Sequence, residues 1–161
     1  MRWGPLRGIT KRGNGIDAIH GFVRHPSGHI TSFDPPGSTG TYPASINYAG
    51  AITGWYVAAN GHSHGFVRDP AGTITSFDPA INTFPTCINS QGVITGYYTD
   101  SMDNPGPGFV RSPDGAITLL APPSFCGGYV HPTSINEAGV ITGTCPSSSF
   151  LGSILGWVRF P

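Results

Sequence analysis

Apolar and polar residues alternate along this chain in short two-residue periods, and the alternating runs return in a fixed order. Within residues 43 to 79, Pro43-Ala44-Ser45-Ile46-Asn47 reads as a short strand, followed by a turn at Tyr48-Ala49-Gly50. Ala51 to Val57 has the period of a half-buried strand, His64 to Arg68 predicts a third, Asp69-Pro70-Ala71-Gly72 a turn, and Thr73 to Asp78 a fourth. Pro79, with no N–H to donate, ends the unit. The pattern recurs over residues 86 to 122, with Ile88, Ile94, Phe109, Val110, Ile117 and Leu120 at matching places. A cruder first copy uses Ile9, Ile16, Phe22, Val23, Ile30 and Phe33. A fourth supplies Ser134-Ile135-Asn136, Val140 to Gly143 and Gly156 to Arg159, then stops at Phe160-Pro161 without a last strand.

The phrase Gly-Phe-Val-Arg marks each copy, at Gly21, Gly65 and Gly108 and as Gly156-Trp157-Val158-Arg159, at intervals of 44, 43 and 48 residues. That period belongs to four-stranded propeller blades. The expected fold is all-β, a β-propeller of about four four-stranded blades in a single domain spanning 1–161, with blades near 6–36, 43–79, 86–122 and 133–161. Residues 1–5 carry what the last copy lacks: Met1-Arg2-Trp3 before Gly4-Pro5 resembles a fourth strand and its exit. Paired beside residues 156 to 160, they would close the ring and leave no open sheet edge. The alternatives are an open solenoid of four units and an eight-bladed ring shared by two chains.

With 24 Gly and 16 Pro in 161 residues, turns are frequent and long helices excluded, while 38% hydrophobic residues in register provide enough apolar surface for a core. Charged residues are only 10%, balanced 8 against 8, so there is no basic field for nucleic acid or anionic lipid. No apolar run approaches membrane-spanning length, and Met1 to Leu6 lacks the apolar stretch of a secretory signal, so any export signal is expected to be missing or removed.

The repeated phrases His64 to Arg68, Gly72 to Asp78, Ser45-Ile46-Asn47 and Ile52-Thr53-Gly54 cover nearly the whole chain in their several copies, and they resemble the HAF-type probable extracellular repeats of bacteria. The resemblance implies a propeller and an extracellular or periplasmic location, but no settled reaction, cofactor or substrate. Two departures stand out: Ala121 replaces the Asp of Asp34 and Asp78, and Thr10 replaces the Asn of Asn47, Asn89 and Asn136.

A residue present in every copy most simply serves the blade. The recurring Asn is expected to hydrogen-bond its own turn, and Gly50, Gly92 and Gly139 to supply positive φ there. Arg24, Arg68, Arg111 and Arg159 end the third strand, where Arg normally lies exposed with its stem on apolar surface. In an antiparallel blade the turn between strands two and three shares a face with the connection to the next blade. The length variation falls there: Pro36 to Tyr42, Ala58 to His64, Ala80 to Thr86, Tyr98 to Pro107, Pro122 to Pro132 and Pro146 to Leu155. Variable loops on a rigid repeated scaffold are where recognition resides.

That face collects the candidate chemistry. His62 and His64 alternate on one segment, a spacing that suits a divalent metal or a proton-transfer pair; His131 lies in another loop, His20 holds the place of His64 in the first copy, and Asp100 and Asp103 lie in the next blade's corresponding loop. Loop-stabilising histidines are the plainer reading. Trp55, Tyr56, Tyr97, Tyr98, Tyr42 and Tyr129 cluster near the same face, as core or as stacking platforms for sugars. Cys87 takes the place of Ser45 and Ser134 on a first strand. Cys126 and Cys145 fall on one face of one blade, close enough in topology for a disulfide, which would fit an exported protein.

Two function classes follow. One is a noncatalytic module binding a small molecule, glycan or protein through the aromatic residues of the loop-rich face, with no cofactor, as a monomer or homo-oligomer. The other is a hydrolase using a metal or His/Asp site among His62, His64, His131, Asp100 and Asp103. The sequence carries no nucleophile elbow, phosphate-binding Gly loop, HExxH helix or paired zinc-ligand motif, so binding is favoured.

Overall fold

In the computed structural model, which describes residues 19–149 and 152–161, thirteen strands form four antiparallel sheets, and no helix occurs among the described residues. Sheet I holds β1 (Gly21–Arg24) and β2 (Ile30–Phe33). Sheet II is the meander β3 (Ser38–Ile46), β4 (Ile52–Ala58), β5 (Ser63–Arg68) and β6 (Ile74–Phe77). Sheet III repeats it with β7 (Asn82–Ile88), β8 (Ile94–Thr99), β9 (Pro105–Arg111) and β10 (Ile117–Leu120). Sheet IV has β11 (His131–Ile135), β12 (Ile141–Pro146) and β13 (Ile154–Arg159). The expected closing strand at 1–5 and the first copy's opening strands around Ile9 and Ile16 lie outside the described residues.

The turns follow from their glycines. Gly50 and Gly92 have φ of 88° and 82°, a region that costs glycine little, and each N–H closes onto the preceding Asn carbonyl. The hairpins pair in register, Ile46 with Ile52 and Ile88 with Ile94.

The first strands begin earlier than the alternation implies. Residues 38–42, 82–85 and 131–132 are strand, although the spans Pro36 to Tyr42, Ala80 to Thr86 and Pro122 to Pro132 read as loop. The cause is a recurrent bulge. Register shifts occur at Pro43/Ser45, Pro85/Cys87 and Pro132/Ser134, so a proline that looks like a strand start sits where the ladder skips a residue and then resumes. The loop Ala58 to His64 likewise shrinks to a tight turn, with the Ala58 N–H donating to the His62 carbonyl at 2.9 Å.

Successive sheets pack face to face over three apolar clusters. Ile52, Tyr56 and Phe66 pack with Val23 and Phe33 of sheet I; Phe77 of sheet II packs with Ile88, Ile94 and Phe109 of sheet III; Leu120 of sheet III meets Ile135, Ile141 and Trp157 of sheet IV and Val130 just before it. Phe66 and Phe109 are fully buried, and each is worth on the order of 3 kcal/mol of transfer free energy. Of the four recurring Arg, Arg24 and Arg159 are exposed as expected, while Arg68 and Arg111 serve this packing. Arg68 lies 5.1 Å over the Phe33 ring and Arg111 4.8 Å over Phe77, each reaching back to the preceding sheet, and Arg111 is 8% exposed. Its burial pushes the Arg111 guanidinium below its usual range, partly opposed by Asp114.

Candidate functional site

The first strands β3, β7 and β11 come together across the sheets, and hydrogen bonds between them repeat. Asn47 accepts the Ala51 N–H on Oδ1 at 2.9 Å while its Nδ2 donates to the Asn89 carbonyl at 3.0 Å. Asn89 repeats both, accepting from Val93 N–H at 2.9 Å and donating to the Asn136 carbonyl at 3.1 Å. The recurring Asn therefore caps its own turn and also ties its sheet to the next. Beside it, Ser45, Cys87 and Ser134 line up through long contacts of 3.8 and 3.9 Å. Cys87 is a free thiol, half-buried in this row.

One level along these strands, rings from three sheets meet in series. Tyr42 and Trp55, partners in the β3–β4 register, stack at 3.9 Å with 12° between planes. Trp55 meets Phe84 edge-on at 5.3 Å, Phe84 stacks on Tyr97 at 5.2 Å, and Tyr97 stacks on His131 at 4.2 Å. Tyr129 tilts against His131 at 5.2 Å and ends the row. All six side chains are half-buried. Four of the six expected ligand-binding residues, Tyr42, Trp55, Tyr97 and Tyr129, are thus brought together, and the row recruits Phe84 and His131 as well. Phe84 carries no signal of its own in the sequence, but it holds the place of Tyr42 one copy later.

The other two aromatics part from the row because neighbours in a strand point to opposite faces. Tyr56 is 8% exposed, belongs to the cluster between sheets I and II, and bonds Ser76 Oγ at 3.1 Å; it is core and not a platform. Tyr98 packs against the cluster between sheets II and III. Burial raises the Tyr97 and Tyr98 phenols above their usual range. It lowers the His131 imidazole, whose Nε2 is buried with no hydrogen-bond partner among the described residues.

The expected His/Asp constellation is arranged differently. His64 Nδ1 pairs with Asp78 Oδ2 at 2.9 Å, and in the first copy His20 Nδ1 pairs with Asp34 Oδ2 at 2.6 Å, while Asp34 Oδ1 accepts the Thr41 hydroxyl at 2.6 Å. His64 lies on β5 and Asp78 follows β6, while His20 precedes β1 and Asp34 follows β2, so each pair joins two neighbouring strands of one sheet at the same end. Asp100 and Asp103 instead organise their own turn. Asp100 accepts the Asn104 side chain and the Asn104 and Met102 N–H groups, which hold its carboxyl below the usual range. The Asn82 amide bonds Asp100 O and Asp103 Oδ1 and accepts the Ser63 N–H. His62 makes a turn bond from its N–H to Asn60 Oδ1. Among the described residues, no three His, Cys, Asp or Glu side chains converge as a metal cage.

Cys126 and Cys145 are joined in a disulfide, Cα atoms 5.5 Å apart, fastening the connection between β10 and β11 to the end of β12. Backbone bonds from Gly127 N–H to Pro146 O at 2.8 Å and from Ser148 N–H to Phe125 O at 3.0 Å flank it. Comparisons with family models, with curated proteins and with solved structures find no match to the chain.

Proposed function

We propose that this chain is a noncatalytic binding module of the HAF-repeat type, whose four sheets are propeller blades and whose ligand carries a flat apolar face, as a glycan does. The observation that carries the reading is the row Tyr42–Trp55–Phe84–Tyr97–His131–Tyr129, six half-buried rings in series where the first strands converge. Rings held by one another lose little freedom on binding, and a sugar face stacking on the terminal Tyr129 desolvates apolar surface at low entropic cost. A glycan array read with the wild type and Tyr129→Ala tests this. Binding that falls at least tenfold in the variant supports it, and no glycan retained by the wild type removes carbohydrate as the ligand.

The propeller reading rests on the sequential packing of the sheets and on what sheet IV lacks. Thr53 and Thr95 are fully buried by the following sheet, whereas Thr142 in the same place is exposed, as are Val158 at 54% and Ile154 at 75%. Among the described residues that face lacks a following sheet, and β13 lacks a fourth strand beside it; residues 1–5 are the strand proposed to pair there and bring the first copy over the face, and the alternative partner is a second chain in an eight-bladed ring. Solution mass together with deletion of residues 1–5 separates the two, and a deletion that alters neither mass nor stability removes both. The disulfide supports an extracellular or periplasmic setting for the chain.

A hydrolase is the second reading, favoured by the His20–Asp34 and His64–Asp78 pairs, since a carboxylate on Nδ1 leaves Nε2 as a base. A turnover screen with the His64→Asn variant decides it: an activity abolished by that substitution would displace the binding reading.

A further inference from the structure

We infer that the Cys126–Cys145 disulfide is a positioning device for Tyr129, so that the end of the aromatic row, and with it the proposed binding face, is set by the redox state of this one bond. The inference rests on the row being that face. In sheets II and III the first and second strands each supply one ring of a stacked pair, Tyr42 with Trp55 and Phe84 with Tyr97. In sheet IV the first strand supplies His131, but its register partner on β12 is Thr144, which has no ring to offer. The missing ring comes from elsewhere. Tyr129, in the connection that precedes β11, reaches His131 at 5.2 Å.

Two side-chain anchors fix that connection, and the backbone bonds from Gly127 N–H to Pro146 O and from Ser148 N–H to Phe125 O flank one of them. Val130, fully buried, anchors the strand side. On the other side Cys126 is bonded to Cys145, the residue after Thr144, at the place that Tyr56 and Tyr98 hold in the other copies. Only Gly127 and Gly128 separate Cys126 from Tyr129, and Gly128 has φ of 95°, so the backbone between them is short and otherwise permissive. In sheet IV the second strand is present but carries Thr144 where sheets II and III carry Trp55 and Tyr97, and the disulfide at the next residue, Cys145, holds the connection that brings Tyr129 to His131 instead. Reduction by a dithiol transfers two electrons and two protons to the bond, yields Cys126 and Cys145 as thiols and oxidises the reductant to its own disulfide. On the Cys126 side the connection then keeps only the backbone bonds from Gly127 N–H to Pro146 O and from Ser148 N–H to Phe125 O, without the covalent tie.

The test reads His131 and needs no ligand, so it stands or falls separately from the glycan measurement. The rings touching the imidazole are phenols and not carboxylates, so its titration by NMR reports cover. In the oxidised full chain the His131 transition is expected below the usual histidine range. Reduction and Tyr129→Ala are each expected to move it upward by the same amount, Tyr129→Phe to leave it in place, and reduction of Tyr129→Ala to add nothing. A variant with two glycines inserted after Gly128 keeps the disulfide while uncoupling Tyr129, and is expected to match Tyr129→Ala even where the reduced chain unfolds. The inference is overturned if reduction leaves the transition where it was in a folded chain, if the two shifts add, or if the insertion has no effect.

Discussion

Replacing Asn89 by alanine removes three functions from one 3%-exposed side chain. Its Oδ1 no longer accepts the Val93 N–H at 2.9 Å, its Nδ2 no longer donates to the Asn136 carbonyl at 3.1 Å, and the Gln91 contact at 3.2 Å is lost. The Val93 N–H is then left without a partner, at about 1–3 kcal/mol for a buried unsatisfied group, while the Asn136 carbonyl keeps the Gly139 N–H at 3.1 Å and loses one hydrogen bond, about 1 kcal/mol. Because the Val93 bond is only part-buried, about 2 kcal/mol applies to it, and the expected loss is about 3 kcal/mol in total. For a chain of this length that is a fall in Tm of roughly 6–12 °C. Asn60 is the control: its Oδ1 accepts the His62 N–H at 3.0 Å in an exposed turn where water replaces it, so Asn60→Ala is expected to cost under about 1 kcal/mol. Urea unfolding followed by circular dichroism gives both values. A loss at Asn89 no larger than that at Asn60 would refute the claim that the recurring Asn ties sheet to sheet.

Four further outcomes are expected. Cleaving the disulfide, which closes a sequence separation of 19 residues, should cost about 3 kcal/mol, seen as a lower urea midpoint in reductant; an unchanged midpoint contradicts the loop-closure argument. Gly96→Ala would place its Cβ on the Phe84 carbonyl oxygen and 2.8 Å from the Phe109 ring, so it should cost about 3 kcal/mol or more, against about 1 kcal/mol for Gly37→Ala, which meets only an unfavourable φ of 78°. Tyr97 has its phenol raised by burial, so the neutral form stabilises the fold fully below the unfolded value of about 10 and that contribution is lost as pH rises beyond it. Tyr97→Phe should therefore flatten the alkaline limb of the urea midpoint, and an equally steep limb would count against it. His131 is depressed, so its contribution is present above about pH 6.5 and lost as pH falls through the lower folded value; His131→Phe should make the acid limb shallower over that window.

Some of the site was written in the repeats. His20 and His64 sit with Asp34 and Asp78, while the third copy replaces both members at once, with Pro107 and Ala121. That joint change announces a pair, whereas matching loops of neighbouring copies pointed to Asp100 and Asp103 instead, because loop correspondence does not show which residues strand pairing brings together within one sheet. The aromatics were found as a group but not as a row. Tyr56 and Tyr98 differ from Trp55 and Tyr97 by one position, and one position is a change of face.

The amino-acid sequence alone determined the all-β character, the hairpin turns at Asn47–Gly50 and Asn89–Gly92, and the reach of the second, third and fourth strands to within about three residues, since alternation and turn chemistry act between residues near in sequence. Only the tertiary structure decided that prolines 43, 85 and 132 mark bulges within longer strands, that Arg68 and Arg111 lie on rings of the preceding sheet, and that Asn47 and Asn89 reach a neighbour 42 or 47 residues away. Those contacts join one sheet to another. Their partners are chosen by how twisted sheets stack, which places side chains distant in sequence within 3 to 5 Å of each other, and no local pattern encodes that choice.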